Sequence, residues 1–234
     1  MKEEPFDELL ARVTEHAQAA AQSAAATARA QAALLGDLRP AKKLAPPLVF
    51  VASFLGIFAV LSVAVAAVLG LLGVHLLDAT ARATIFPALV ALAGFAAVGL
   101  SREMRPAAGR RLGATATAVS LVGLPLIFFA NFHNFNVEHF VQEGWPCLRA
   151  GLIVAIPTGI VAACVLRRGF VLSWKMAGLA AGTFAGLTGL AMLELHCPDQ
   201  KVMHIVVWHV AVVAVSALLG LTAGWAVDAR RRAA

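Results

Sequence analysis

Six long apolar runs, separated by short polar connections, dominate the chain after its first 45 residues. A helix of about 20 apolar residues crosses the hydrocarbon core of a bilayer. Five runs cover about residues 48–74, 85–100, 113–130, 148–166 and 176–195, and a sixth follows the polar stretch 194–209 and ends near residue 227. The pattern predicts an all-α, polytopic membrane protein with six transmembrane helices.

The segment before the first run has a different pattern. Phe6, Leu9, Leu10 and Val13 recur at spacings of three and four, which places them on one face of a helix. An Ala-rich stretch with high helix propensity follows. Two roles are open for the apolar face: it lies on the membrane or on its own domain, or it binds in a groove of a partner protein.

Three parts of the chain follow from these patterns. We predict a helical tail over residues 1–45, a transmembrane domain over 46–228 and a short basic tail over 229–234. Within the fifth run, glycines recur every four residues, a spacing that lets a neighbouring helix approach closely. These glycines are Gly178, Gly182 and Gly186.

The basic residues indicate how the predicted helices are oriented. Thirteen Lys and Arg lie in the tail junction, in the connections after the second and fourth runs and at the C-terminus. Only Arg82, Arg149 and Lys201 lie on the other side. The positive-inside rule then predicts that both termini are cytoplasmic. Trp145 falls at the outer interface, where an aromatic belt is expected.

Composition agrees with a membrane protein and excludes several other classes. Hydrophobic residues make up 60% of the chain and charged residues 14%, whereas about a quarter of the residues of a soluble domain are charged. The net charge of +6 is spread over the membrane connections, which argues against nucleic-acid binding. The first 45 residues lack the start of a cleavable signal peptide. No nucleophile–base arrangement is present, so we expect a protein that is not an enzyme.

The predicted outer face gathers six of the seven histidines and two of the three cysteines. Cys147 begins the fourth helix and Cys197 ends the fifth, so the two thiols lie at the same depth. Three interpretations remain open: a structural disulfide, a redox- or metal-responsive pair, or two unrelated thiols. Cys164 lies about 25 Å farther along the fourth helix and cannot pair with Cys147.

The stretch 194–209 holds further candidates for this outer site. Glu194 is an acid near a membrane end, where an acid is a functional candidate by default. His196 and His204 are possible metal ligands or supporting residues, with Trp145 and Pro198 as neighbours of the thiols. His204 and His209 are five residues apart, which separates them by about 140° around an α-helix. We therefore expect that these two histidines do not bind one ion together.

Several short motifs resemble those of the NrsF family. They are the basic, proline-rich segment 38–47, Gly144-Trp145-Pro146-Cys147-Leu148, His196-Cys197-Pro198 and Trp208-His209. The resemblance implies a six-span inner-membrane negative regulator of an extracytoplasmic-function sigma factor. It also implies that a cytoplasmic N-terminal segment holds the sigma factor, and that periplasm-facing cysteines, here Cys147 and Cys197, are tied to sensing metals or oxidative stress.

The combined hypothesis is a multi-pass anti-sigma factor in the bacterial inner membrane. Its tail face (Phe6, Leu9, Leu10 and Val13) binds an extracytoplasmic-function sigma factor, and a change at the cysteine pair releases it. The alternative is a small transporter or a metal- or haem-binding membrane protein that uses the outer His/Cys cluster. The expected cofactor is none, or a soft or transition metal ion such as Zn, Cu or Cd. The oligomeric state stays open.

Overall fold

A computed structural model describes residues 6–37, 45–105 and 112–233. The chain divides into two compact units, Met1–Lys43 and Leu44–Ala234. The described part of the first unit is one helix, and the second unit contains all the apolar runs.

The N-terminal unit is built on the helix α1, Phe6–Asp37. Its 32 residues exceed the length at which an Ala-rich helix becomes stable in water. On the predicted apolar face, Leu10 is 48% exposed and Val13 is 61% exposed. The side chains of Phe6 and Leu9 lie outside the described residues. Leu10 and Val13 therefore present exposed apolar side chains on this face.

The second unit is a bundle of helices. They are α2 Pro47–Leu69, α3 Leu72–Leu76, α4 Ala79–Glu103, α5 Leu112–Asn131, α6 Phe140–Leu166, α7 Trp174–His196 and α8 Val202–Ala233. All except α3 are long and apolar enough to cross a membrane. The described residues contain no strand, only an isolated bridge between Asn134 and Lys201. The predicted all-α fold with six membrane-spanning helices is confirmed.

Several helix boundaries differ from the sequence prediction, and three of the differences affect the ends of the bundle. The first span ends at Leu69 because Gly70 has a φ of 106°, which breaks the helix and leaves α3 as a separate turn. The fourth span begins at Phe140, eight residues before the predicted start, so that Cys147 lies inside α6. The last span runs from Val202 through Ala233, so the helix continues into the basic C-terminal residues.

The helix α7 forms the centre of the bundle. It contacts every other membrane-spanning helix, and its residues from Ala180 to Glu194 are all buried. Phe184 packs edge-on against Phe54 of α2, with 5.4 Å between ring centroids. A hydroxyl–hydroxyl hydrogen bond of 2.7 Å joins Thr183 to Thr117 of α5. The fifth apolar run is thus the core around which the other helices pack.

The predicted close approach at the glycines of the fifth run is confirmed, and the neighbour is α8. A Cβ atom on Gly178 would lie 2.1 Å from the carbonyl oxygen of Gly220, and one on Gly182 would lie 2.1 Å from that of Ser216. Lipid tails provide no hydrophobic drive between helices, so helices associate in a membrane largely through this kind of tight packing. The contact fixes α7 and α8 against each other along most of their lengths.

The two ends of the bundle are chemically different. At one end, here called the basic end, Asp228 of α8 accepts hydrogen bonds from the backbone nitrogens of Trp174 and Lys175, which begin α7. Arg231 lies 5.0 Å from the centroid of the Trp174 ring. The opposite end, here called the thiol end, holds the start of α6, the end of α7 and the start of α8. All the sequence-predicted outer residues lie at the thiol end.

The α7–α8 contact predicts the effect of adding a single methyl group. Gly182→Ala places a Cβ against the backbone of Ser216, so the helices must separate. Overpacking of this kind costs about 1–3 kcal/mol. We expect a lower midpoint of thermal unfolding in detergent, followed by circular dichroism.

Gly94→Ala is the matched control, because nothing lies within 4 Å of the added Cβ. This variant should unfold at the same temperature or slightly higher, since Ala favours a helix more than Gly does. Equal stability of the Gly182 variant and the wild type would contradict the backbone-to-backbone contact.

Candidate functional site

Two free thiols meet at the thiol end of the bundle. Cys147 lies on α6 and Cys197 directly follows α7, with 3.5 Å between their sulfur atoms. Cys197 is buried and Cys147 is half-buried. Cys164, which is also free, is exposed on another part of α6. The structure therefore brings together the two cysteines that the sequence analysis singled out.

The start of α6 is held close to α8 by a glycine and an indole. A Cβ atom on Gly144 would lie 2.0 Å from the indole nitrogen of Trp208, so only a glycine fits here. The Trp208 ring also packs on Phe140, with 5.4 Å between ring centroids. This contact sets the position of Cys147, which lies one turn after Gly144.

A π-helical turn, Ile205–His209, lies near the start of α8. Its wider winding is seen in the hydrogen bond from the backbone nitrogen of Val210 to the carbonyl of Ile205, five residues earlier. His204 and His209 thereby come to the same side of the helix, with ring centroids 5.2 Å apart. Our prediction that these histidines diverge is wrong, because it assumed α-helical winding. Turns of this type are rare in proteins, and many of those that occur lie at functional sites.

The thiols and the two imidazoles form one cluster, here called the S2N2 cluster: Cys147, Cys197, His204 and His209. One donor atom from each lies within 4.8 Å of the donors of the others. The Nε2 atom of His204 is 3.6 Å from the sulfur of Cys197. Both histidines are only 1% exposed. Chemically, such a cluster can undergo thiol oxidation or can hold a metal ion.

A carboxylate lies behind each imidazole. The Nδ1 atom of His209 is 2.6 Å from a carboxylate oxygen of Glu194, which is buried at the end of α7. The Nδ1 atom of His204 is 3.1 Å from Asp199, although this pair is not aligned as a hydrogen bond. A carboxylate accepts the Nδ1 proton and leaves Nε2 for the other side of the ring. The Nε2 atom of His209 has no hydrogen-bond partner within the described part of the chain.

A short turn covers the cluster at the surface. Lys201 forms salt bridges with Glu143 and Asp199 and donates a hydrogen bond to the carbonyl of Glu138. The backbone nitrogen of Val202 donates to Asn134, so the α5–α6 connection is joined to the α7–α8 turn. The hydrogen bond with Glu143 raises the pKa of Lys201. The cover thus carries a stable positive charge beside the acids.

Burial and the neighbouring thiol control the protonation of Cys197. Its hydrogen bond with Cys147 and its burial raise the pKa of Cys197. The side chains of His204 and His209 act in the opposite direction and lower it, with the smaller effect. The protonated thiol is therefore the favoured form of Cys197.

The remaining predicted site residues lie at the edge of this arrangement. The Nδ1 atom of His196 is 2.8 Å from the carbonyl oxygen of Gly70, so the ring interacts with the end of α2. Trp145 and Pro198 are exposed. The sequence analysis missed Asp199, although an acid two residues after a candidate thiol was a usable signal.

A family model described as NrsF, negative regulator of sigma F, matches residues 34–227. No match was found among the curated proteins or among the solved structures. The match covers the helical bundle from its first span to residue 227 of α8, including the thiol end. The chain therefore belongs to the NrsF family of negative regulators of a sigma factor.

Proposed function

We propose that the chain is an anti-sigma factor of the bacterial inner membrane that holds an extracytoplasmic-function sigma factor through its tail. A signal at the Cys147–Cys197 pair, either thiol oxidation or metal ligation, releases the sigma factor. The observation that carries the proposal is the family match, since the family regulates a sigma factor negatively. The contact between the two thiols supports the sensing part.

The tail helix supports the proposed binding of the sigma factor. Leu10 and Val13 are exposed on α1, and Phe6 and Leu9 share their face in the sequence pattern. A helix that lays one apolar face into a hydrophobic groove is a common mode of recognition. Burying one such side chain contributes about 1.5–3 kcal/mol. Four of them supply enough affinity to hold a partner at the membrane.

The charge distribution supports a periplasmic location for the thiols. The basic end of the bundle carries Arg102, Arg105, Arg167, Arg168 and Lys175 together with the arginines of α8. Lys and Arg accumulate on the cytoplasmic side of bacterial membrane proteins. The thiol end then faces the periplasm, where disulfides form and persist.

Oxidation of the pair requires only a small movement. Two thiols form one S–S bond when they lose two protons and two electrons, and hydrogen peroxide accepts both and is reduced to two water molecules. The sulfur atoms start 3.5 Å apart, and a disulfide brings them to about 2.05 Å. The change draws the start of α6 towards the end of α7.

The signal then needs a path to the basic end. The helix α7 begins at Trp174, whose backbone nitrogen is bound by Asp228, and ends at the residue before Cys197. The glycine contact with α8 leaves little room for bending, so α7 and α8 respond together. A ligand or modification acts by favouring one of two arrangements of the bundle. In the proposal, one arrangement holds the tail ready for the sigma factor and the other does not.

A metal-handling membrane protein is the second candidate, because the S2N2 cluster gathers four donors. A transporter, however, is expected to bury polar or charged groups near the middle of the bilayer. Buried polar residues in the middle of the described spans are limited to serines and threonines. Uptake of metal into proteoliposomes would favour this second function.

The tail proposal predicts a strong effect of one charge on the apolar face. Val13→Glu should weaken binding of the sigma factor about 10-fold or more, because the lost apolar burial is worth at least about 1.4 kcal/mol. The measurement is co-purification of extracytoplasmic-function sigma factors from the source bacterium with the tagged full-length protein, quantified by mass spectrometry. Gln22→Glu adds the same charge to the opposite face of α1 and should leave binding unchanged. Absence of any sigma factor on the wild-type protein would contradict the proposal.

The orientation is tested with alkaline phosphatase, which is active only outside the cytoplasm. A fusion after residue 233 should be inactive, and a fusion inserted after residue 136, in the α5–α6 connection, should be active. The first position lies at the basic end of the bundle and the second lies at the thiol end. The reverse pattern would place the thiols in the cytoplasm and remove the proposed periplasmic sensing.

The sensing proposal predicts that both thiols are required. Cys147→Ser and Cys197→Ser should each abolish release of the sigma factor after treatment with peroxide or cadmium, because neither disulfide formation nor ligation by two thiolates is then available. Release is measured by transcription from a promoter that depends on the sigma factor. Cys164→Ser serves as the control, since this thiol is exposed elsewhere on α6, and should respond as the wild type does. A normal response in both single variants would rule out the cysteine mechanism.

A further inference from the structure

We infer that Cys147, Cys197, His204 and His209 form a tetrahedral binding site for one divalent ion of the zinc group, Zn²⁺ or its softer congener Cd²⁺. The regulatory role of this site rests on the proposed function, whereas the binding of the ion does not depend on that function. In this site two histidines join the cysteine pair as ligands of the ion, and two carboxylates lie behind the histidines.

The distances between the donor atoms match a tetrahedron. Zinc binds sulfur at about 2.3 Å and imidazole nitrogen at about 2.0–2.1 Å. A regular tetrahedron with these bonds has a sulfur–sulfur edge of about 3.8 Å and a sulfur–nitrogen edge of about 3.5 Å. The observed Cys147–Cys197 and Cys197–His204 separations are 3.5 Å and 3.6 Å. Two edges of the cluster thus fit a tetrahedron, and all four donor atoms lie within 4.8 Å of one another.

The unpartnered nitrogen of His209 provides a second and independent observation. His209 is almost fully buried, and its Nε2 has no hydrogen-bond partner in the described residues. A buried polar atom without a partner costs about 1–3 kcal/mol. Since Nδ1 is bound to Glu194, Nε2 is the atom that remains for a ligand, and His209 contributes one donor atom to the S2N2 cluster. A metal bond would offset the cost.

The carboxylates behind the rings are typical of built metal sites. Histidine ligands of a metal almost always donate their other ring proton to a carboxylate, a carbonyl or water. Glu194 lies at 2.6 Å from His209 and Asp199 lies at 3.1 Å from His204. Glu194 therefore holds the His209 imidazole through Nδ1, whereas Asp199 lies beside Nδ1 of His204, and Nε2 of each ring remains available for an ion. An apolar group that includes Leu148, Leu193 and Trp208 packs beside Cys147 and keeps this side dry.

Charge balance favours a divalent ion over a monovalent one. Two thiolates carry two negative charges, and the two carboxylates behind the imidazoles add two more. A divalent ion neutralises the thiolates, whereas Cu⁺ would leave one further uncompensated negative charge in a largely buried site. Buried uncompensated charge is costly. The tetrahedral S2N2 geometry is also the one that indicates zinc.

Metal titration of the full-length protein tests the inference. The protein is purified in detergent with a reductant, and Co²⁺ is added as a spectroscopic probe that Zn²⁺ then displaces. We expect one ion per chain, the visible absorption bands of tetrahedral cobalt and sulfur-to-cobalt charge transfer. Six-coordinate cobalt spectra, or absence of stoichiometric Zn²⁺ binding, would overturn the inference. Tight binding of Cu⁺ by the thiols without any binding of Zn²⁺ would also overturn it.

Variants separate the four-donor site from a site made by the thiols alone. Removing a second-shell partner of a metal ligand typically costs 10- to 100-fold in affinity, so Glu194→Gln should weaken Zn²⁺ binding by about this factor. His204→Ala and His209→Ala should weaken it at least as much and should change the cobalt spectrum. The matched control is His196→Ala, since this ring contacts Gly70 instead. Unchanged affinity in the His204 and His209 variants would overturn the inference.

Two further measurements keep the test decisive. His209→Ala leaves Glu194 buried without its partner, so the double variant His209→Ala with Glu194→Gln removes both, and circular dichroism reports whether each variant is folded. Co-purification of the sigma factor is measured on the same proteins. Zinc binding without any sigma factor would refute only the proposed function. Sigma-factor binding without zinc binding would refute only the metal site.

Discussion

The backbone contact between α7 and α8 is the constraint on which the thiol end depends. No side chain separates the helices at Gly178 and Gly182, so the two backbones have few alternative positions. The turn that joins the helices is short, and both ends of it carry cluster residues. Because α7 and α8 are fixed against each other, Cys197 and Glu194 keep their positions relative to His204 and His209. A looser interface would leave the same four donors in sequence without bringing them together in space.

Burying the ionisable groups of the cluster costs free energy, so their presence needs an explanation other than stability. Glu194, His204 and His209 are buried at the thiol end of the bundle, and ionisable groups within membrane segments are rare and mostly functional. A buried ion pair is often no more stable than apolar residues of the same size. Stability alone thus does not explain two imidazole–carboxylate pairs beside two thiols. The costs are consistent with a site that responds to a ligand or an oxidant.

The sequence predicted the parts of this structure that depend on hydrophobicity and on residue size. Apolar runs indicated six spans, and the glycine spacing of the fifth run indicated a close helix neighbour. The position of His209 was not predictable in this way. A π-helical turn needs no special residue and depends on packing around it, here on the indole of Trp208 against Gly144. His196 is the converse case: it adjoins Cys197 in sequence, yet its ring interacts with Gly70 because successive residues at a helix end point in different directions.

Oxidation and metal binding would move the thiol end in different ways, although the proposed sensor uses the same two thiols for both. Both reactions consume the same two thiols, so one excludes the other. A disulfide shortens the distance between the sulfur atoms from 3.5 Å to about 2.05 Å and leaves the imidazoles without a ligand. A tetrahedral ion keeps the sulfur atoms near their present separation and instead ties α8 to α6 through His204 and His209. Because α7 and α8 are packed as one body, the first change acts on the position of α6 against that body, and the second acts on α6 and α8 together. In the proposal, both changes alter the packing of α6 against the α7–α8 pair, and this shared step releases the sigma factor.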